Sequence, residues 1–131
     1  MAQTTDKGEF KRLFTPAGSK GYDQLKWVSR ESSIINPATG KAVFEQKDLE
    51  FPEGWSQNAI NIVAQKYFSG TPGTKEREAS LKTLINRVVD TVVRQGKQEG
   101  YFTSDEEAET YREELKYVLA TQRAAFNSPV W

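Results

Sequence analysis

Apolar residues recur at Leu81, Leu84, Ile85, Val88, Val89 and Val92, the i, i+3, i+4, i+7 spacing that lays one stripe along an α-helix. The stretch "EREASLKTLINRVVDTVVRQG" is therefore predicted as a helix over about 76–95, with Gly96 as the residue that ends it. A second helix is expected over about 56–69, in "WSQNAINIVAQKYF", with Ser56 as its cap and Ile60, Val63, Tyr67 and Phe68 on its apolar face. Ala59, Ile62 and Ala64 extend that face around the helix, so it belongs near the core. A third follows over about 104–126. Ser104 stands three residues before Glu107 in the capping-box spacing, and Tyr111, Leu115, Val118, Leu119, Gln122 and Phe126 continue one face.

Upstream the period changes. Lys26 to Ile35 and Ala42 to Glu45 read as strands around the turn formers Asn36-Pro37-Ala38-Thr39-Gly40, which gives a β-hairpin over about 26–46. Two strands are marginal alone in water, so the hairpin must lie on a helical layer or on another chain. Residues 1–20 mix charge, glycine and proline without a period and read as a flexible arm, with one sticky patch at Leu13-Phe14. Residues 21–131 then form one mainly helical α+β domain with a small β-hairpin.

Composition narrows the chemistry. The 131 residues carry 18 basic and 18 acidic side chains, which leaves no electrostatic footprint for nucleic acid or for an anionic membrane. Cysteine and histidine are both absent, which excludes a thiol nucleophile, a Cys/His zinc site and a Ser-His-Asp triad built from this chain alone. No apolar run reaches the length of a membrane span, and the polar opening has no secretory signal pattern, so a cytoplasmic location is the expectation.

Few motifs invite a site. "GTPGTK" at 70–75 lacks the Walker spacing and reads as a connector. Glu106-Glu107 suits the positive end of a helix dipole better than an acid/base pair, because neighbouring helix positions do not converge. Arg77, Arg87 and Arg94 are placed along the helix expected over about 76–95 as a solvated or salt-bridged face. Trp27, Trp55, Tyr67 and Tyr101 could stack on a base but read as core or staple residues. The ending "FNSPVW" is different. Ser128 and Asn127 fall in a strand-permissive segment where a hydroxyl and freed N–H groups could face an anion, with Val130-Trp131 needing cover from outside the chain; the alternative is truncation debris without order.

The succession "GKAVFEQKDLEFPEGWS", "WSQNAINIVAQKYFSG", "SLKTLINRVVDTVV", "GYF" and "EEAETYREELKYVLATQRAAFNSPVW" closely resembles the amino-terminal domain of adenosylcobalamin-dependent, class II ribonucleotide reductases. The resemblance covers about Tyr22 to Trp131, with "FNSPVW" as its most distinctive segment. It implies a helical domain ahead of a ten-stranded α/β barrel, in which a cobalamin-generated thiyl radical starts reduction of ribonucleotides to deoxyribonucleotides. It also implies Ser128 as a substrate contact near the phosphates, with Asn127 as its weaker neighbour. The barrel is the implied partner, diphosphates the implied substrates and a homodimer the implied assembly. The family's radical and redox cysteines have no counterpart in this chain, so it is expected to be inactive alone, to leave adenosylcobalamin to other segments, and to be a cut or naturally split piece. A non-catalytic interaction or assembly module that reuses the same domain is the competing reading.

Overall fold

The computed structural model describes residues 9–131, and its architecture is α+β: an antiparallel hairpin on a layer of three helices. Strands β1 (Trp27–Ile35) and β2 (Ala42–Pro52) pair with Trp27 opposite Pro52 and Ile34 opposite Phe44. Asn36 builds the turn: its side-chain oxygen accepts from the Ala38 N–H at 2.9 Å, and Gly40 takes the left-handed φ of +68° that closes it. Strand β2 runs seven residues beyond the expected Glu45. Leu49 and Phe51 make the difference, because both are completely buried against the helices, while Ile34, Ile35 and Val43 near the turn stay exposed.

Helix α1 (Gln57–Ile62) starts where the sequence places it, with the Ser56 hydroxyl accepting from Ala59 N–H at 3.1 Å. It then widens into a π turn over Val63–Tyr67, closed by Phe68 N–H on the Val63 carbonyl at 3.0 Å.

Helix α2 (Leu81–Gln98) starts five residues later than predicted. The backbone before it belongs to the sheet: Glu50 N–H donates to the Ala79 carbonyl at 2.8 Å, and Ser80 caps the helix while bonding Glu50. Its buried stripe is Leu81, Leu84, Ile85, Val88, Val89 and Val93, with the expected Val92 at the surface. Gly96 does not end the helix. It lies inside under the Phe102 ring, where an added Cβ would approach Phe102 to 2.7 Å, and Gly100 at φ +72° is the terminator. The Tyr101 N–H returns to the Gly96 carbonyl at 2.9 Å to complete a Schellman end.

Helix α3 (Asp105–Ala120) begins at the predicted Ser104 cap, which accepts from Glu107 N–H at 3.0 Å. The Glu107 carboxylate turns to Thr103 N–H at 2.6 Å rather than to Ser104, so the reciprocal bond is set one residue early. The helix stops at Ala120, six residues before the expected Phe126, because Gln122 takes φ +60° and Arg123 N–H bonds the Val118 carbonyl at 3.0 Å. This is the same end that Gly100 gives α2, made here with a glutamine. The core lies between the sheet, α1, α2 and the inner face of α3, where Leu49, Phe51, Ile60, Ala64, Ile85, Val89 and Val93 are closed to solvent. No helix of the described residues is long and apolar enough to cross a membrane.

The arm departs from the flexible reading. Its residues 1–8 lie outside the described residues, whereas the backbone that follows docks along α3. Phe10 meets Tyr111 edge-on at 4.8 Å, Phe14 stacks on Tyr117 at 5.9 Å, and Leu13 is exposed. The Glu114 carboxylate accepts the N–H groups of Leu13 at 3.0 Å, Phe14 at 2.9 Å and Thr15 at 2.9 Å. Burial raises its pKa, but the hydrogen bonds from Thr15, Phe14 and Leu13 outweigh that and hold it below the ordinary glutamate value. Glu107, which accepts from Thr103 and from Phe10 N–H, is lowered in the same sense.

A carboxylate lowered by docking stabilises the docked arm above its free pKa, and that stability is lost as pH falls through the lower docked value. Protection of the residue 13–15 amides, taken relative to their intrinsic exchange rates, should therefore be high near neutrality and fall in acid below the usual glutamate range, about pH 4. Glu114→Gln should remove most of that dependence. Equal protection of these amides in acid and at neutrality would show that the carboxylate does not hold the arm.

Candidate functional site

Sequence pointed to the carboxy-terminal segment, and the fold gives that segment a defined place. Beyond the Gln122 reversal the chain runs back along the α1–α2 face, and Ser128–Val130 forms a single 3₁₀ turn. Pro129 sits in the first positions of that turn, where its fixed φ and missing N–H are tolerated. Val130 N–H bonds the Asn127 carbonyl at 3.0 Å and Trp131 N–H bonds the Ser128 carbonyl at 3.3 Å. The Trp131 ring packs on Phe126 at 5.7 Å and its indole N–H donates to the Phe126 carbonyl at 3.0 Å. The segment is thus ordered by its own contacts and takes a 3₁₀ turn where the sequence would have permitted a strand. Trp131 finds cover within the chain, while Val130 remains exposed.

Between this tail and the helices lies an apolar cavity of about 410 Å³. Trp55, Val63, Tyr67, Leu84, Phe126 and Trp131 are among its walls. At its rim the Tyr67 phenol and the Ser128 hydroxyl meet at 2.6 Å. Asn127 is exposed beside them. The tail's polar groups therefore face solvent at the edge of an apolar cleft.

Tyr67 is fixed from behind. Arg77, expected on the helix, instead folds inward from the loop before α2 and donates to the carbonyls of Ala64, of Phe68 at 2.6 Å and of Gly70 at 3.0 Å. An Ala64 carbonyl taken by a guanidinium leaves Phe68 N–H free to reach Val63, which accounts for the π turn that carries Tyr67. Burial lowers the Arg77 pKa, with Glu78 opposing that change. Arg87 donates to the Tyr67 carbonyl at 3.2 Å and to Glu78 at 3.0 Å, and Glu78 in turn accepts from Ser69 N–H at 2.7 Å. Arg77 and Arg87 thus serve backbone and Glu78, and Arg94 is exposed on α2. They do not converge on an anion.

The other sequence candidates separate in space. Glu107 is buried and bonded to Thr103 while Glu106 stays exposed, so they form no acid/base pair. "GTPGTK" is a connector in which Gly70 at φ +87° and Gly73 at φ +84° supply left-handed backbone. Trp27 donates its indole N–H to the Tyr22 carbonyl at 2.9 Å, and Trp55 to the Ala120 carbonyl at 2.8 Å, tying the start of α1 to the end of α3. Tyr101 alone of the four aromatics is largely exposed, at 70%. Tyr67 was legible as a face residue of α1, but no spacing in the sequence announces a partner 61 residues away.

Such an arrangement defines a class: a small α+β domain that presents a polar tail at an apolar cleft, with no cluster of metal-ligating side chains among the described residues. Residues 29–122 match the family model described as class II vitamin B12-dependent ribonucleotide reductase. The chain is 47% identical over 120 residues to a vitamin B12-dependent ribonucleotide reductase of Streptomyces coelicolor, covering 92% of this chain and 12% of that protein. The corresponding protein of Streptomyces avermitilis is 44% identical over 129 residues, covering 98% and 13%. That of Rhodopirellula baltica is 42% identical over 125 residues, covering 94% and 12%. The chain belongs to the class II vitamin B12-dependent ribonucleotide reductase family, and it spans about an eighth of the length of these relatives.

Proposed function

We propose that this chain works as the amino-terminal part of a ribonucleotide reductase that converts ribonucleoside diphosphates to deoxyribonucleotides, packing on an α/β barrel and lending one wall to the substrate site. Family membership and the small share of each relative that the chain covers support the reading. The exposed apolar tip of the hairpin and the exposed Val130 are surfaces suited to such packing. A homodimer is the proposed assembly and the cytoplasm the proposed location.

The observation that carries the substrate role is the Ser128 hydroxyl, ordered at the cleft rim by Tyr67 yet open to solvent. A hydroxyl in that position donates to a phosphate oxygen, with Asn127 alongside as a second polar contact. No corrinoid contact is proposed for this chain. It has no histidine or cysteine, and the tail cavity is apolar and of small-ligand size at about 410 Å³. Adenosylcobalamin is accordingly assigned to the remainder of the enzyme, where it supplies the radical chemistry, and this segment's part is to bind and orient.

Ser128→Ala in the complete reductase should weaken substrate binding by about 1 to 2 kcal/mol, the scale of one hydrogen bond to a charged group, or roughly 5- to 30-fold in KM. Unchanged KM and kcat would remove Ser128 from the site.

A further inference from the structure

We propose that Tyr67 is the positioning residue for the Ser128 hydroxyl, donating its phenolic proton to Ser128 Oγ so that the serine's own proton points to the substrate phosphate. The proposal rests on the reading of Ser128 as a substrate contact and gives that contact its direction.

A serine hydroxyl has one proton and two lone pairs. If Ser128 spent its proton on Tyr67, it would present only lone pairs to an anion, and the contact would repel. The phenol is the more acidic of the two groups and therefore the better donor. At 2.6 Å the pair is close enough for a strong O–H···O bond. A serine oxygen that accepts a proton from one side is also polarised into a better donor on the other.

Both partners are held independently of each other. Tyr67 ends the π turn, its carbonyl bonded by Arg87 at 3.2 Å and the neighbouring Phe68 carbonyl by Arg77 at 2.6 Å. Ser128 opens the 3₁₀ turn that Pro129 and the Trp131 N–H stiffen. The meeting of the two hydroxyls is therefore imposed by the fold across 61 residues of sequence rather than by local chain geometry.

The test is steady-state kinetics of the complete reductase carrying Tyr67→Phe, Ser128→Ala and both. Tyr67→Phe keeps the ring in the cleft wall, so its thermal unfolding should match the parent. Its KM should rise about fivefold, the loss of one oriented hydrogen bond, with kcat within about twofold. The double variant should behave as Ser128→Ala alone, because the tyrosine acts only through the serine. A parental KM for Tyr67→Phe beside a raised KM for Ser128→Ala would overturn the positioning role and leave the substrate contact standing. An effect of Tyr67→Phe that persists undiminished without the Ser128 hydroxyl, or that falls on kcat alone, would overturn it too. A parental KM for Ser128→Ala would overturn both readings together.

Discussion

Phe51→Ala is expected to destabilise the chain by about 3 to 5 kcal/mol, the usual cost of emptying a large buried aromatic site. Phe51 is completely buried on β2, with Trp55 at 5.4 Å and Phe68 at 5.8 Å between ring centres. It joins the hairpin to the end of the π turn, and neither flank can collapse into the cavity. Trp55 is held by its bond to the Ala120 carbonyl at 2.8 Å, and the backbone at Phe68 by Arg77 at 2.6 Å. Folded domains have only about 5 to 15 kcal/mol in hand, so the loss should be plain as a lower urea midpoint. Val43→Ala, on the exposed part of the same strand, should change stability by less than about 0.5 kcal/mol. Similar losses at the two sites would mean that the sheet does not form the core face described here.

Periodicity revealed what is apolar and repeated, and concealed what is polar and singular. The stripe from Leu81 to Val89 was readable because a helix that buries one face must repeat its apolar residues at helical spacing. The caps at Ser56, Ser80 and Ser104 act locally; the first and third were legible, whereas Ser80 was hidden inside a helix-permissive run whose backbone the sheet takes up. Helix ends failed for a related reason. Gly96 carries a terminator's composition but serves as floor for Phe102, while Gln122 terminates α3 without one.

Least legible were the carboxylates that accept distant backbone N–H groups. Glu113, 3% exposed, takes the Gly21 N–H at 2.9 Å, and Glu114 takes three consecutive N–H groups of the arm. In sequence both look like ordinary charged positions on an exposed helix face. Their partners come from about a hundred residues away, and only the folded chain brings them together. For the candidate site, Ser128 and Asn127 were singled out by an unusual ending and a resemblance. Tyr67 and the arginines behind it emerge only once the π turn exists.

Gly70→Ala carries the other large expected loss, about 3 kcal/mol or more, and it joins stability to the candidate site. Gly70 has φ +87°, a left-handed conformation that costs an alanine about 1 to 2 kcal/mol. Space is the second obstacle. An added Cβ would stand 2.3 Å from the Glu76 carbonyl oxygen and 2.8 Å from the Arg77 Cα, and because those atoms are backbone, the loop itself must move. Forcing a group into a filled site adds about 1 to 3 kcal/mol. The displaced loop carries Arg77, whose guanidinium holds the Phe68 carbonyl at 2.6 Å and the Gly70 carbonyl at 3.0 Å. Moving it loosens the π turn and with it the Tyr67 phenol. Gly73→Ala is the matched control: its φ of +84° imposes the same conformational cost, but an added Cβ there meets nothing within 4 Å. Thermal unfolding should therefore fall further for Gly70→Ala than for Gly73→Ala, and in the complete reductase only the former should also raise the substrate KM. Equal unfolding temperatures for the two variants would show that the close packing of Gly70 on Glu76 and Arg77 contributes nothing to the fold.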